Sequence, residues 1–119
     1  MKKMYNIGVE ATMDVIGGKW KPIILCNLRH GTLRTSELQK KIPNISQKML
    51  IQQLRELERD KIICRKVYQE VPPRVEYSLS TYGITLSDVL DLLCNWGEAH
   101  VHKLIAEGHE VSLSCSGQH

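Results

Sequence analysis

Leu50, Leu54 and Leu57 recur at i, i+4 and i+7 after the break Pro43-Asn44, a spacing that predicts a helix over residues 46–60 with one apolar stripe turned inward. Ser46 stands where a capping hydroxyl belongs. At about 100° per residue, Lys48, Gln52, Arg55 and Arg59 fall within roughly 40° of the direction opposite that stripe, giving an outward row of cations and amides. An ordinary solvated helix face has the same pattern, so the flanking segments must decide between the two readings. Upstream, Ser36-Glu37-Leu38-Gln39 has the form of a capping box and predicts a short helix that runs to Lys41 or Ile42, where Pro43 ends it. Two helices joined by a turn of about four residues, the second bearing the polar row, have the dimensions of a helix-turn-helix.

Beyond this pair, residues 62–69 are rich in β-branched side chains, Val71-Pro72-Pro73-Arg74 is a turn, and residues 75–79 alternate apolar and polar. A hairpin with Arg65, Lys66 and Arg74 on or near it makes a basic wing spanning residues 63–79. The expected architecture is therefore mainly α with a small β-hairpin wing, a winged helix-turn-helix. In the first third, Val9, Met13 and Ile16 at helical spacing predict a short helix that Gly17-Gly18 ends, and Pro22 suits the first turn of a second helix from Trp20 to Leu28. Gly17-Gly18-Lys19 is not a phosphate-binding loop: the positions needing Gly and Ser or Thr hold Met13 and Trp20.

From about Ile84 to Ile105 the pattern is again helical, roughly 22 residues or about 33 Å. Its apolar positions are too many for one narrow stripe. Part is expected to pack within the chain and part on a second copy, in a two-fold dimer formed with the first helix through Val9, Met13, Leu86, Leu90, Leu93, Trp96, Val101 and Leu104. Residues 1–107 are read as one domain, and the Gly-, Ser- and His-containing stretch 108–119 as a flexible tail.

At 119 residues the chain has room for one core, and with Phe absent the volume must come from Leu, Ile, Val, Trp20 and Trp96. The net charge of +3 is unevenly spread: residues 34–74 hold ten Lys and Arg against five acids, leaving +5 there and −2 elsewhere. Such local excess attracts polyanions in a salt-dependent way. Neither a signal-peptide run nor a membrane-length apolar stretch is present in the sequence, so a cytoplasmic protein is expected. The four cysteines, Cys26, Cys64, Cys94 and Cys115, lack CxxC or zinc-finger spacing and are expected as free thiols, with Cys26 in the core. No GxSxG, HExxH or dinucleotide fingerprint occurs, so no enzyme and no cofactor are expected.

The motifs Val15-Ile16-Gly17-Gly18-Lys19-Trp20-Lys21, Arg34-Thr35-Ser36-Glu37-Leu38, Ile45-Ser46-Gln47-Lys48-Met49-Leu50, Gln53-Leu54-Arg55-Glu56-Leu57-Glu58 and Val71-Pro72-Pro73-Arg74-Val75-Glu76-Tyr77-Ser78-Leu79 occur in that order. Through them the chain resembles the HxlR family of bacterial winged helix-turn-helix transcriptional regulators, from Val9 to about Leu104. The resemblance implies a cytoplasmic homodimer, joined by its terminal helices, that binds double-stranded operator DNA and commonly represses a nearby gene. It also implies that the helix from Ser46 enters the major groove and that the hairpin tip at Arg74 approaches a minor groove. On chemical grounds Gln47, Lys48 and Gln52 suit base edges and nearby phosphates, while Arg34, Ser36, Arg55 and Arg74, with Lys66 on the wing, suit phosphate or groove anchoring.

Some relatives in that family resemble redox or electrophile sensors built on a Cys nine positions before the Ile of Ile-Gly-Gly-Lys-Trp, a position held here by Ile7. Cys64 and Cys94 are the remaining thiol-sensor candidates, with inert thiols the plainer expectation. Cys94, Glu98 and His102 share a helical spacing that a metal could use, but a structural or surface role is the expectation and no metal is assigned. The alternative function is a winged-helix adaptor that binds another protein without specific DNA recognition. Ile51 is the only obvious apolar anchor for it. Neither the operator nor the effector has a signature in the chain.

Overall fold

A computed structural model describes residues 3–113. In chain order the elements are α1 (Gly8–Ile16), α2 (Trp20–Leu28), β1 (Leu33–Arg34), α3 (Thr35–Lys41), α4 (Gln47–Arg59), β2 (Ile63–Tyr68), β3 (Arg74–Leu79), α5 (Thr81–Ile84) and α6 (Ser87–Ala106). Within the span expected as one domain, the chain divides into two compact units at Ser87–Asp88. Of the expected tail, residues 109–113 carry no helix or strand, while residues 114–119, with Cys115, lie outside the described residues.

In the first unit α2 contacts both α3 and α4, and the three helices reach the sheet through β3 and β2. Antiparallel strands lie in the order β1-β3-β2. Leu50, Leu54 and Leu57 are completely buried, joined by Ile24, Leu25, Leu28, Leu38, Ile42, Ile45, Ile62, Ile63 and Tyr77. This confirms the inward stripe of α4. The first strand was not anticipated: its two residues are too few to show alternation, and Leu33 and Arg34 are defined as a strand only by pairing with Tyr77 and Glu76.

Local capping explains the boundaries. Ser46 is extended, and its Oγ accepts the Met49 N–H at 3.1 Å, which starts α4 where the sequence placed it. The helix closes with the Lys61 N–H donating to the Glu58 carbonyl at 2.9 Å and the Ile62 N–H to the Leu57 carbonyl at 3.0 Å, a Schellman turn with Lys61 at φ 63°. The α3 cap differs from the expected one. Its N-cap is Arg34, whose backbone N–H donates to Glu37 Oε1 at 2.7 Å, so Ser36 sits inside the first turn rather than capping it. Between the helices, Gln39 Nε2 donates to the Ile45 carbonyl and pins the turn.

The helix expected from Ile84 is interrupted. Ser80 Oγ accepts the Gly83 N–H at 2.8 Å and so caps a separate one-turn helix, α5, before the chain restarts at Ser87. The same hydroxyl donates to the Lys61 carbonyl at 2.7 Å, anchoring α5 to the end of α4.

The second unit is built on α6, 20 residues long and therefore about 30 Å. It ends at Gly108, φ 91°, with the His109 N–H donating to the Leu104 carbonyl at 2.9 Å. Val89, Leu92, Leu93 and Trp96 are exposed and share one helix face. Trp96, expected to supply core volume, is 70% exposed and stacks on His100 at 5.1 Å. Leu90, expected at a subunit contact, is 0% exposed within the single chain. Among the described residues no helix is long and apolar enough to cross a membrane.

Candidate nucleic-acid interface

The outward face of α4 has the composition that its periodicity predicts: Gln47, Lys48, Gln52, Arg55 and Arg59 are exposed, while Ile51 is half-buried. Gln47, Lys48, Ile51, Gln52, Arg55 and Glu56 line one open concavity along the helix. Ser46 lies at its start as a cap, its hydroxyl engaged with the backbone.

Glu56 organises the neighbouring side chains. Lys21 Nζ of α2 stands 2.6 Å from Glu56 Oε1, and Gln52 Nε2 donates to Glu56 Oε2 at 3.4 Å. The hydrogen bond from Lys21, then its charge, holds the Glu56 carboxyl below its usual range, with smaller help from Gln52 and Arg59 against the opposing effect of burial. The carboxylate thereby directs one end of the Gln52 amide and leaves the Gln52 carbonyl oxygen as an acceptor toward solvent.

The wing contributes to two different concavities. Residues on opposite faces of a strand alternate, and Arg65, Val75 and Tyr77 face α4, where with Thr35, Ile51, Arg55 and Glu58 they line a cleft between helix and sheet. Arg65 thus meets Arg55 in a place that charge counting along the chain did not single out. On the opposite face the register sets Glu76 beside both Lys66 and Arg34. Arg34, Thr35 and Ser36 line the third concavity together with residues 70–75 of the wing. Lys48 and Arg74 line different concavities.

Arg74 is not at the hairpin tip. It opens β3, its side chain is 29% exposed, and the tip is Val71-Pro72-Pro73, with Val71 fully exposed. The Arg74 guanidinium lies 3.9 Å from the Tyr68 ring centroid, 3.2 Å from Glu70 and 3.5 Å from Glu76. Lys66 Nζ also approaches the Tyr68 ring, at 4.8 Å. Cys64 is exposed on β2 opposite Ser78, and Cys94 is half-buried in α6. Among the described residues no group of three His, Cys, Asp or Glu side chains is arranged to hold a metal.

Comparison with known proteins agrees with this geometry. The HxlR-like helix-turn-helix family profile matches residues 15–104. The HTH-type transcriptional regulator YtcD of Bacillus subtilis (strain 168) is 59% identical over 110 residues, 92% of this chain and 87% of YtcD. YkvN, an HTH-type transcriptional regulator of the same organism, is 51% identical over 106 residues, 89% of this chain and 90% of YkvN. Among solved structures, the redox regulator HypR in its oxidized form superposes with a TM-score of 0.76 at 48% identity, over 78% of this chain and 96% of that one. The reduced form of the transcriptional regulator YodB from B. subtilis gives 0.68 at 35% identity, over 80% and 96%. With a winged helix whose second helix presents cations and amides outward, and with these relatives, the chain belongs to the HxlR-like helix-turn-helix family and is a DNA-binding transcriptional regulator, not an enzyme.

Proposed function

We propose that this protein is a cytoplasmic homodimeric repressor that binds an operator through α4 and the wing. The observation that carries the reading is the outward row Lys48, Gln52 and Arg55 on a helix whose opposite side is sealed in the core. Gln47 and Gln52 amides match adenine edges, Lys48 matches guanine O6 or N7, and Arg55, Arg65 and Lys66 match phosphates. Arg34, Ser36 and Arg74 form a second contact zone at the start of α3 and the wing loop.

Exposed apolar side chains support the dimer. Val9 and Met13 on α1, and Val89, Leu92, Leu93 and Trp96 on α6, are exposed in the single chain, and half-buried Leu86, Val101 and Leu104 extend the set. A two-fold pair would place its recognition helices for successive half-sites about 34 Å apart on an inverted repeat. A protein-binding adaptor is less well supported, because Ile51, its one apolar anchor on this face, is half-buried between helix and wing.

Fluorescence anisotropy against the intergenic DNA flanking the protein's own gene, beside scrambled DNA and across a salt series, tests the reading. The expected result is saturable binding with a preference of at least about a thousand-fold. Weak binding that is equal on both DNAs and disappears as salt rises would overturn autoregulation through that DNA.

A further inference from the structure

The sequence presents Arg74 as a free cation of the wing, but the fold surrounds it with acids. The Glu70 N–H donates to the Tyr68 carbonyl at 2.9 Å, a tight turn that brings the Glu70 carboxylate back along the hairpin to 3.2 Å from the Arg74 guanidinium. Tyr68, paired directly with Arg74 across the hairpin, supports the guanidinium from its ring at 3.9 Å. Glu76, two positions along the same strand, stands 3.5 Å from Arg74 Nε, yet that Nε is buried and makes no hydrogen bond. Glu76 is in addition shared with Lys66 and Arg34 in the register of the sheet. Arg74 is therefore held by one good carboxylate contact, and one of its donors is unsatisfied.

A phosphate offers a guanidinium the paired oxygens that this arrangement lacks. Resting on the DNA-binding reading above, we propose that Glu70 is a positioning residue that limits the affinity of the wing for the DNA backbone. Its carboxylate occupies Arg74 as an internal stand-in for a phosphate, and Arg74 reaches the duplex backbone only when the fit of the rest of the interface repays the loss of that ion pair. Glu70 thus lowers affinity for a duplex of any sequence, and acts through Arg74 rather than by touching DNA.

The test is a double-mutant cycle on the full chain with a random-sequence duplex across a salt series: wild type, Glu70→Gln, Arg74→Gln and both together. Arg74→Gln keeps a stem over Tyr68, and Glu70 is half exposed, so neither change empties the core. Glu70→Gln is expected to tighten random-duplex binding about two- to fivefold, the scale of one surface ion pair. It should also steepen the log–log salt slope by about 0.9, one phosphate's worth. In the Arg74→Gln background both effects should vanish. An undiminished gain without Arg74 would mean simple removal of a negative charge and would overturn the proposal, as would no gain at all. Wild-type protein without operator preference, but with the coupling intact on random duplex, would sink the specific-repressor reading and leave the latch standing.

Discussion

Lys21 of α2 and Glu56 of α4 meet at 2.6 Å, joining the scaffold to the back edge of the recognition helix. Both side chains are largely shielded, and Glu56 also receives Gln52 from one turn earlier on α4. The ion pair therefore has two consequences, for the seating of the helix and for the orientation of one side chain proposed to read bases.

The first consequence is a pH dependence with a fixed sign. Lys21 lowers the Glu56 pKa in the folded chain, so the unfolded chain takes up the proton first as pH falls. The stabilisation is fully present above the unfolded value, about 4.3, and is lost as pH falls through the lower folded value. Melting temperatures of wild type and Glu56→Gln should differ by a constant amount from pH 7 to pH 5 and converge below that. A gap that stays constant down to pH 3 would show that the pair does not couple to folding.

Contacts to bases and to phosphates should separate in binding data. Gln52→Ala or Lys48→Ala should cost about 1–3 kcal/mol on the operator and relax preference at one position. Arg65→Ala, in the cleft with Arg55, should weaken all duplexes alike and lower the salt slope by about one. Equal loss on operator and random DNA for Gln52→Ala would remove it from the base-reading set.

What was legible in the chain was mostly local. The cap at Ser46 and the leucine stripe fixed α4, because both act within one or two turns. The missing parts depend on partners far away in sequence. The strand β1 exists only because Leu33 and Arg34 pair with residues more than forty positions later, and Arg74 is tied down only because the hairpin register sets it against Tyr68. The helical spacing of apolar positions from Ile84 onward hid the break at Thr85; the Ser80 cap, four residues upstream of Ile84, was the available signal. Helical periodicity likewise grouped Leu90 with Leu93 and Trp96, although only burial separates the first from the other two.

Gly83 makes a further prediction, about stability alone. A Cβ at this position would lie 2.0 Å from the Ile62 carbonyl oxygen, a backbone atom that cannot step aside. Gly83→Ala should cost about 1–3 kcal/mol by forcing α5 away from the end of α4. Urea denaturation measures this directly, and an unchanged midpoint would contradict the close approach.

Leu92 and Trp96 test the proposed dimer. They are 68% and 70% exposed in the single chain, so replacing them leaves the fold of one protomer without a cavity, unlike any change at Leu90. If α6 pairs with a second copy through this face, a charge placed there must be buried without a partner, which association does not tolerate. Leu92→Glu and Trp96→Lys should therefore sediment as monomers at concentrations where wild type is dimeric, with helical circular dichroism retained. Operator affinity should fall with them, since a monomer engages one half-site. The concentration dependence of the wild-type melting temperature should also disappear in both variants. Dimers of unchanged strength in both variants would place the subunit contact elsewhere, and would return this apolar face to the surface unexplained.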